Sequence, residues 1–442
     1  MTVGQRLARG IALGLLARLR SGQLTIVEGE HRLVLGHGSP QATAQVRSPH
    51  LWPRLLHGSR GMAEAYMQGF WESPDPTAVV RVAARNATSL DDWRRRLAPA
   101  RVPLQAARGL RARNTHARSR RGIAAHYDLG NELFALMLDE TMMYSSAYFP
   151  HQGMTLAQAS RAKLELVCSE LDLRAGDHVL EIGTGWGGFA VHAARTRGCR
   201  VTTTTISREQ YEHARKWVQA AGVADRVTVL CEDYRDLRGR YEKLVCIEMI
   251  EAVGYRDFDT FFARCSNLLA THGRMQLQAI TIDDRAYAVE KASPSFIRTH
   301  IFPGGCLPSL AVIARCVAQR TDMRTVALKD LTPHYAETLR RWRANFEAAT
   351  ARLEDLGYDE RFRRLWRMYL AYCEAGFAER RIGVVQMTLA KPGWQYAGPT
   401  SAYDAPRALA DPNVRQLATG GPAPTTLDAA VTSPRSAFNA PT

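Results

Sequence analysis

Five short strand-like runs, HVLEIG (178–183), RVTTTTI (200–206), RVTVLC (226–231), KLVCIEM (243–249) and RMQLQAI (274–280), alternate with stretches of helical spacing. Strands that take turns with helices build a parallel sheet, because each return crossover needs a dozen or more residues. The alternation predicts a doubly wound α/β architecture. A long insertion over 283–309, helices around 335–356 and 362–377, and a final strand GVVQMTLA (383–390) are expected to complete the domain.

The turn after the first run carries the clearest chemical signal. In VLEIGTGWGGFA, Glu181 closes a strand, Gly183, Gly185 and Gly187 fall in a loop, and an apolar helix follows. Glycines let a backbone approach a ligand closely, and a helix start presents unpaired N–H groups. A nicotinamide site would show GxGxxG and an acid about 20 residues later. Here the pattern is GxGxG and the second strand ends in Thr205, which is the methyltransferase variety of the loop. The alternative, glycines that serve tight packing alone, is weaker in this context.

At 442 residues the chain exceeds the roughly 250–300 at which one core stops growing, so two domains are expected. Two strands, LTIVEG and HRLVLG, and a helical pattern through Met62, Tyr66 and Met67 suggest a small α/β domain over 1–95 that docks on lipid. A basic linker follows over 96–121, a catalytic domain over 122–395, and a Pro-, Ala-, Thr- and Gly-rich tail over 396–442 expected to be disordered. The net charge of +15 favours anionic partners, lipid headgroups or nucleic acid. Near the N-terminus Leu7, Ile11, Leu15 and Leu19 recur among Arg6, Arg9, Arg18 and Arg20, a basic amphipathic helix suited either to an anionic bilayer surface or to packing on its own domain. No window reaches the roughly 18 apolar residues of a membrane span. Eight scattered cysteines without CxxC spacing argue against structural zinc and disulfides and fit a reducing cytoplasm, with the chain peripheral to the inner face of the plasma membrane.

With these features in place, the chain resembles the cyclopropane-fatty-acyl-phospholipid synthase and mycolic acid cyclopropane synthase family. The resemblance runs through AAHYDLGNELFALMLDETMMYSSAYF (124–149), the GTGWGG loop, TTISREQ (204–210), EDYRDL (232–237), IEMIEAVG (247–254), FIRTHIFPGGCLPS (296–309), PHYAETLRRW (333–342) and YLAYCEAGF (369–377). It implies a seven-stranded, Rossmann-like methyltransferase sheet, S-adenosyl-L-methionine as donor and the double bond of an unsaturated phospholipid acyl chain as acceptor. By position in the motifs, Tyr144 and Ser145 would contact the cofactor. Gly183 and Gly185 would line its amino acid end, Thr205 and Gln210 its ribose region, and Asp233 with Tyr234 its adenine, with Glu181 and Gly187 also counted among the cofactor-binding residues. A homodimer is implied by resemblance alone.

An alkene is a weak nucleophile, so it must be held in line with the sulfonium methyl in a dry pocket. Methyl transfer leaves a carbocation, which aromatic faces stabilise, a role suited to Tyr148, Tyr335 and Phe302. Loss of a proton from the transferred methyl closes a cyclopropane. A hydride shift and loss elsewhere give a methylene, which a separate reductase would turn into a methyl branch. In the family a bound bicarbonate is the base, and Glu251 and Tyr335 match its Glu and Tyr. Ser146 stands where Cys is usual, Ala252 replaces a His, and Gln278 replaces another. These departures alter the bicarbonate cradle, although Ser146, Gln278 and the backbone at Ile280 still offer hydrogen bonds. A nucleic-acid methyltransferase is disfavoured, because IEMIEAVG stands after the fourth strand and no aromatic and basic stacking surface is evident.

Overall fold

The computed structural model describes residues 1–87, 129–292 and 295–395. The basic linker, the start of the 124–149 motif and the tail lie outside the described residues. The described residues belong to one compact body.

The N-terminal segment opens with a helix, Val3–Leu16, closed at its start by a capping box between Thr2 and Gln5. Strands β1 (Gly22–Glu28), β2 (His31–His37), β3 (Gln41–Val46) and β4 (Trp71–Glu72) make a four-stranded sheet in the order β2-β1-β3-β4. The two strands expected from sequence are β1 and β2. Strands β3 and β4 carry too little apolar alternation to stand out. Helices Gly58–Met67 and Pro76–Arg85 cover the sheet, the second started by Asp75 as cap and Pro76 in the first turn.

The large sheet has seven strands: β5 (His178–Ile182), β6 (Arg200–Thr204), β7 (Val227–Leu230), β8 (Tyr241–Ile247), β9 (Leu269–Ile282), β10 (Arg324–Asp330) and β11 (Ile382–Ala390). Their order is β10-β11-β9-β8-β5-β6-β7. Pairs β5–β6, β5–β8, β6–β7 and β8–β9 are parallel, as the alternation predicts. The sheet departs from a wholly parallel one at its far side, where β11 runs antiparallel to both β9 and β10. Strand β10 is not foreseen by the sequence reading. It is an edge strand with five consecutive exposed residues, so it has no hydrophobic period to read. The expected 335–356 helix is broken at Ala349 into Thr332–Ala348 and Thr350–Asp355.

The two sheets are tied through the helix Glu360–Ala378 and the turn after it. Glu379, almost wholly buried, pairs with Arg81 at 2.8 Å and Arg85 at 2.7 Å. Arg364 donates to the carbonyls of Tyr66 and Trp71 and stands over the Tyr66 ring at 4.5 Å. Among the described residues no helix is long and apolar enough to cross a membrane.

Candidate active site

The switch point of the sheet, where β5 lies between β6 and β8, opens into a cavity of about 1920 Å³. Crevices beyond the carboxyl ends of parallel strands are where such folds hold ligands. At one end are the glycine loop, Tyr144, Ser145, Thr205, Gln210, Asp233 and Tyr234. The middle is walled by Glu248, Glu251, Ile280, Phe302 and Tyr335, and the far end by Ile11, Leu15, Met62 and Val80 of the N-terminal segment.

In the loop, Gly183 has φ +105°, and a Cβ there would lie 3.1 Å from Met249 Cβ. Gly187, at φ +102°, precedes the helix Gly188–Arg197 and packs on Ala214 rather than lining the cavity. Between them Gly185, at φ +54°, has nothing within 4 Å of where a Cβ would lie. Glu181 is buried and accepts from Thr203 Oγ1 at 2.6 Å. Burial pushes its carboxyl up to about 8, against the pull of Thr203 and Lys163. Thr205 Oγ1 donates to Gln210 Oε1 at 2.8 Å, locking the two side chains together. Asp233 is bound on both oxygens by Arg235, at 2.8 and 2.7 Å, so its carboxylate is already engaged within its own turn.

Lys163, on the helix Leu156–Glu170, carries no sequence signal that singles it out. Its ammonium is fully buried and donates to Ser145 Oγ at 2.9 Å. Burial lowers its pKa to about 8 despite Glu248, Asp139 and Glu181 nearby.

The centre of the site is a pair of glutamates at the end of β8. Glu248 has φ +50°, a left-handed backbone that costs a non-glycine residue energy and is kept where the surroundings demand it. Its Oε1 accepts from the Ser146 N–H at 2.9 Å and Gln278 Nε2 at 2.6 Å, and its Oε2 from the Tyr335 hydroxyl at 2.7 Å. Glu251 Oε1 accepts from the Ile280 N–H. Its buried Oε2 has no hydrogen-bond partner among the described residues. Burial, followed by the charge of Glu248, pushes Glu251 up to about 8. Burial also raises Glu248, opposed by its donors and by Lys163.

Of the residues expected from sequence, Glu251, Tyr335 and Ile280 meet at this centre. Ser146 and Gln278 stand just behind it, fully buried. The Ser146 hydroxyl donates to its neighbour's carbonyl, Ala147 O, and only its backbone N–H turns to the carboxylate. Tyr148 is not brought to the cavity and packs edge-on against His334 at 4.9 Å. Other aromatics supply the walls: Phe377 lies 4.3 Å from Tyr335 between centroids, and Tyr369 meets the Tyr144 hydroxyl at 2.6 Å. Glu248 is the residue that sequence reasoning misses. The signal is two acids spaced i, i+3 across a strand end in EMIE, the place where a sheet of this kind offers groups to a ligand.

A profile of the family described as mycolic acid cyclopropane synthetase matches residues 114–387. The tuberculostearic acid methyltransferase UfaA1 of Mycobacterium tuberculosis is 41% identical over 384 residues, 82% of this chain and 88% of that protein. The cyclopropane-fatty-acyl-phospholipid synthase of Escherichia coli K12 is 34% identical over 362 residues, 80% of this chain and 89% of that protein. Among solved structures, mycolic acid cyclopropane synthase CmaA1 complexed with SAH and CTAB aligns with a TM-score of 0.58 at 32% identity. The alignment covers 62% of this chain and 98% of that one.

Proposed function

The chain belongs to the mycolic acid cyclopropane synthetase family and is an S-adenosylmethionine-dependent methyltransferase, and from that premise we propose that it methylates the double bond of an unsaturated phospholipid acyl chain. The observation that carries the reading is one large cavity lined by the glycine loop, by two buried glutamates and by the N-terminal segment, where Ile11, Leu15, Met62 and Val80 stand together with the polar Arg54, Arg60 and Glu64. A small polar acceptor would need no such extension. An acyl chain fills it and leaves its alkene at the centre.

The residues present fit the cofactor. Gly185 has open space where a Cβ would lie, and Gly183, Thr205, Gln210 and Tyr234 border the same end. When bound, S-adenosylmethionine supplies an electrophilic sulfonium methyl, which the alkene takes with its π pair, leaving a carbocation on the adjacent chain carbon. Tyr335, Tyr369, Phe302 and Phe377 line the cavity with ring faces and edges that stabilise positive charge and keep water away. Because Glu248 carries three donors, its negative charge is held close to the place where that positive charge develops.

A cyclopropane is the first reading of the product. A second reading, a methylene or methyl-branched chain, is favoured by one observation: the relative that is 41% identical is named a tuberculostearic acid methyltransferase rather than a cyclopropane synthase. In that case a separate reductase completes the branch.

The N-terminal helix supports docking on an anionic bilayer. Val3, Leu7 and Ile11 are exposed at four-residue spacing with Arg6 beside them, while Ile11 and Leu15 also reach the cavity. An acyl chain drawn from a bilayer against this helix would enter directly. The cytoplasmic leaflet suits the eight cysteines, all free thiols.

The test is incubation of the purified protein with S-adenosylmethionine and liposomes of oleoyl phospholipid, followed by mass spectrometry and NMR of the lipids. A gain of a CH2 unit as a three-membered ring supports the first product and a gain as a branch the second. No gain with any unsaturated phospholipid overturns the reading.

A further inference from the structure

We infer that Glu248 is the proton acceptor of this enzyme, a carboxylate built into the chain where the family resemblance places a bound bicarbonate. The inference rests on the proposed methylation of an alkene.

The groups expected to cradle bicarbonate are all turned to the protein's own carboxylates. The Ser146 N–H, Gln278 Nε2 and the Tyr335 hydroxyl converge on Glu248, and the Ile280 N–H goes to Glu251. A bicarbonate would lose these donors and lie against the Glu248 carboxylate in a buried space, where like charges repel strongly. The site therefore does not fit the anion. The same donors fix Glu248 in one orientation, at a left-handed backbone position of φ +50°. Gln278 is itself held by Gln386, whose Nε2 donates to Gln278 Oε1 at 2.9 Å, so its amide presents N–H to the carboxylate.

A carboxylate offers about four lone-pair positions, and Glu248 has three engaged, which leaves one on Oε2 for a proton. After methyl transfer the substrate carbocation loses H⁺ to this oxygen. The C–H bond breaks, its electron pair closes the ring or forms a double bond, and an O–H bond forms on Glu248. The carboxylic acid then returns the proton to solvent, so each turnover releases one proton and neutral S-adenosylhomocysteine. Glu251, whose buried Oε2 has no hydrogen-bond partner among the described residues, stands beside it and acts on it through charge.

The experiment has two arms. In the first, binding of 13C-labelled bicarbonate to the full-length protein is followed by NMR in carbon dioxide-depleted buffer, with no lipid present. No binding is expected for the wild type, and saturable binding at the site overturns the inference whatever the enzyme does to lipid. In the second, turnover on oleoyl liposomes is measured with and without added bicarbonate for wild type, Glu248→Gln and Glu248→Asp. Calorimetric binding of S-adenosylhomocysteine checks that each variant is folded. Wild-type turnover independent of bicarbonate, with a loss of about 100-fold or more in Glu248→Gln and a smaller loss in Glu248→Asp, is expected. A wild-type rate that climbs with bicarbonate, or a Glu248→Gln variant that keeps its rate, overturns it. Failure of every protein to alkylate lipid falls on the functional reading, and the binding arm still decides between a built-in and a bound base.

Discussion

The Tyr335 hydroxyl donates to Glu248 Oε2 across 2.7 Å, so the first turn of one helix controls a carboxylate at the end of a strand 87 residues away in sequence. A donor to the charged form favours that form. Replacing Tyr335 by Phe removes the donor and leaves Glu248 more readily protonated. The acid limb of the pH profile is then expected to move to higher pH, with turnover lost most on the acid side and recovered as pH rises. A pH–rate profile on oleoyl liposomes checks this. A profile with the limb unmoved would separate Tyr335 from the carboxylate's chemistry.

Glu251 gives a prediction about stability. Its carboxyl is raised to about 8 in the folded protein, by burial and then by Glu248. In the unfolded chain it ionises near the ordinary glutamate value, so over the interval between the two values the folded state binds more protons. Its contribution is fully present below the unfolded value and is lost as pH rises toward 8. Glu251→Gln abolishes the dependence. The variant's stability relative to wild type is expected to improve between pH 5 and pH 8 by of the order of 1–3 kcal/mol, read by calorimetric melting at several pH values.

How much of this was legible in the sequence depended on local signals. Strands β5 to β9 were readable because each is an apolar or β-branched run between helical stretches. The glycine loop was readable because its spacing differs from that of dinucleotide sites. The edge strand β10 was not, since its exposed residues follow no period. Glu251 could be placed by motif, whereas Glu248 could not, because its importance comes from Ser146, Gln278 and Tyr335, which are brought to it from three other segments. Tyr148 is the reverse case: it lies within the motif, but its ring packs on His334 and does not line the cavity.

The cofactor loop can be tested at Gly183. With φ +105° and Met249 Cβ only 3.1 Å from where an added methyl would lie, alanine at this position is strained on two counts. A penalty of about 1–3 kcal/mol falls on the conformation that borders the cofactor, so Gly183→Ala is expected to weaken S-adenosylhomocysteine binding by about 10-fold or more in titration calorimetry. Unaltered affinity would mean that the loop does not form the cofactor wall.

The junction between the two sheets rests partly on Glu379, whose side chain is 5% exposed while Arg81 and Arg85 are about a third exposed. Removing the acid leaves two arginines facing each other, although solvent screens them in part. Glu379→Ala is expected to lower unfolding free energy by about 1–2 kcal/mol in urea titration, and a double-mutant cycle with Arg85→Ala should show coupling.

The far wall of the cavity, with Ile11, Leu15, Met62 and Val80, belongs to the N-terminal segment, not to the sheet that carries the chemistry. On the proposed reading, the wall that would measure the acyl chain and the glutamates that would react with it lie in separate stretches of sequence. Grafting residues 1–87 from a relative with a different acyl preference is expected to transplant chain-length selection while leaving the reaction at the central glutamates unchanged.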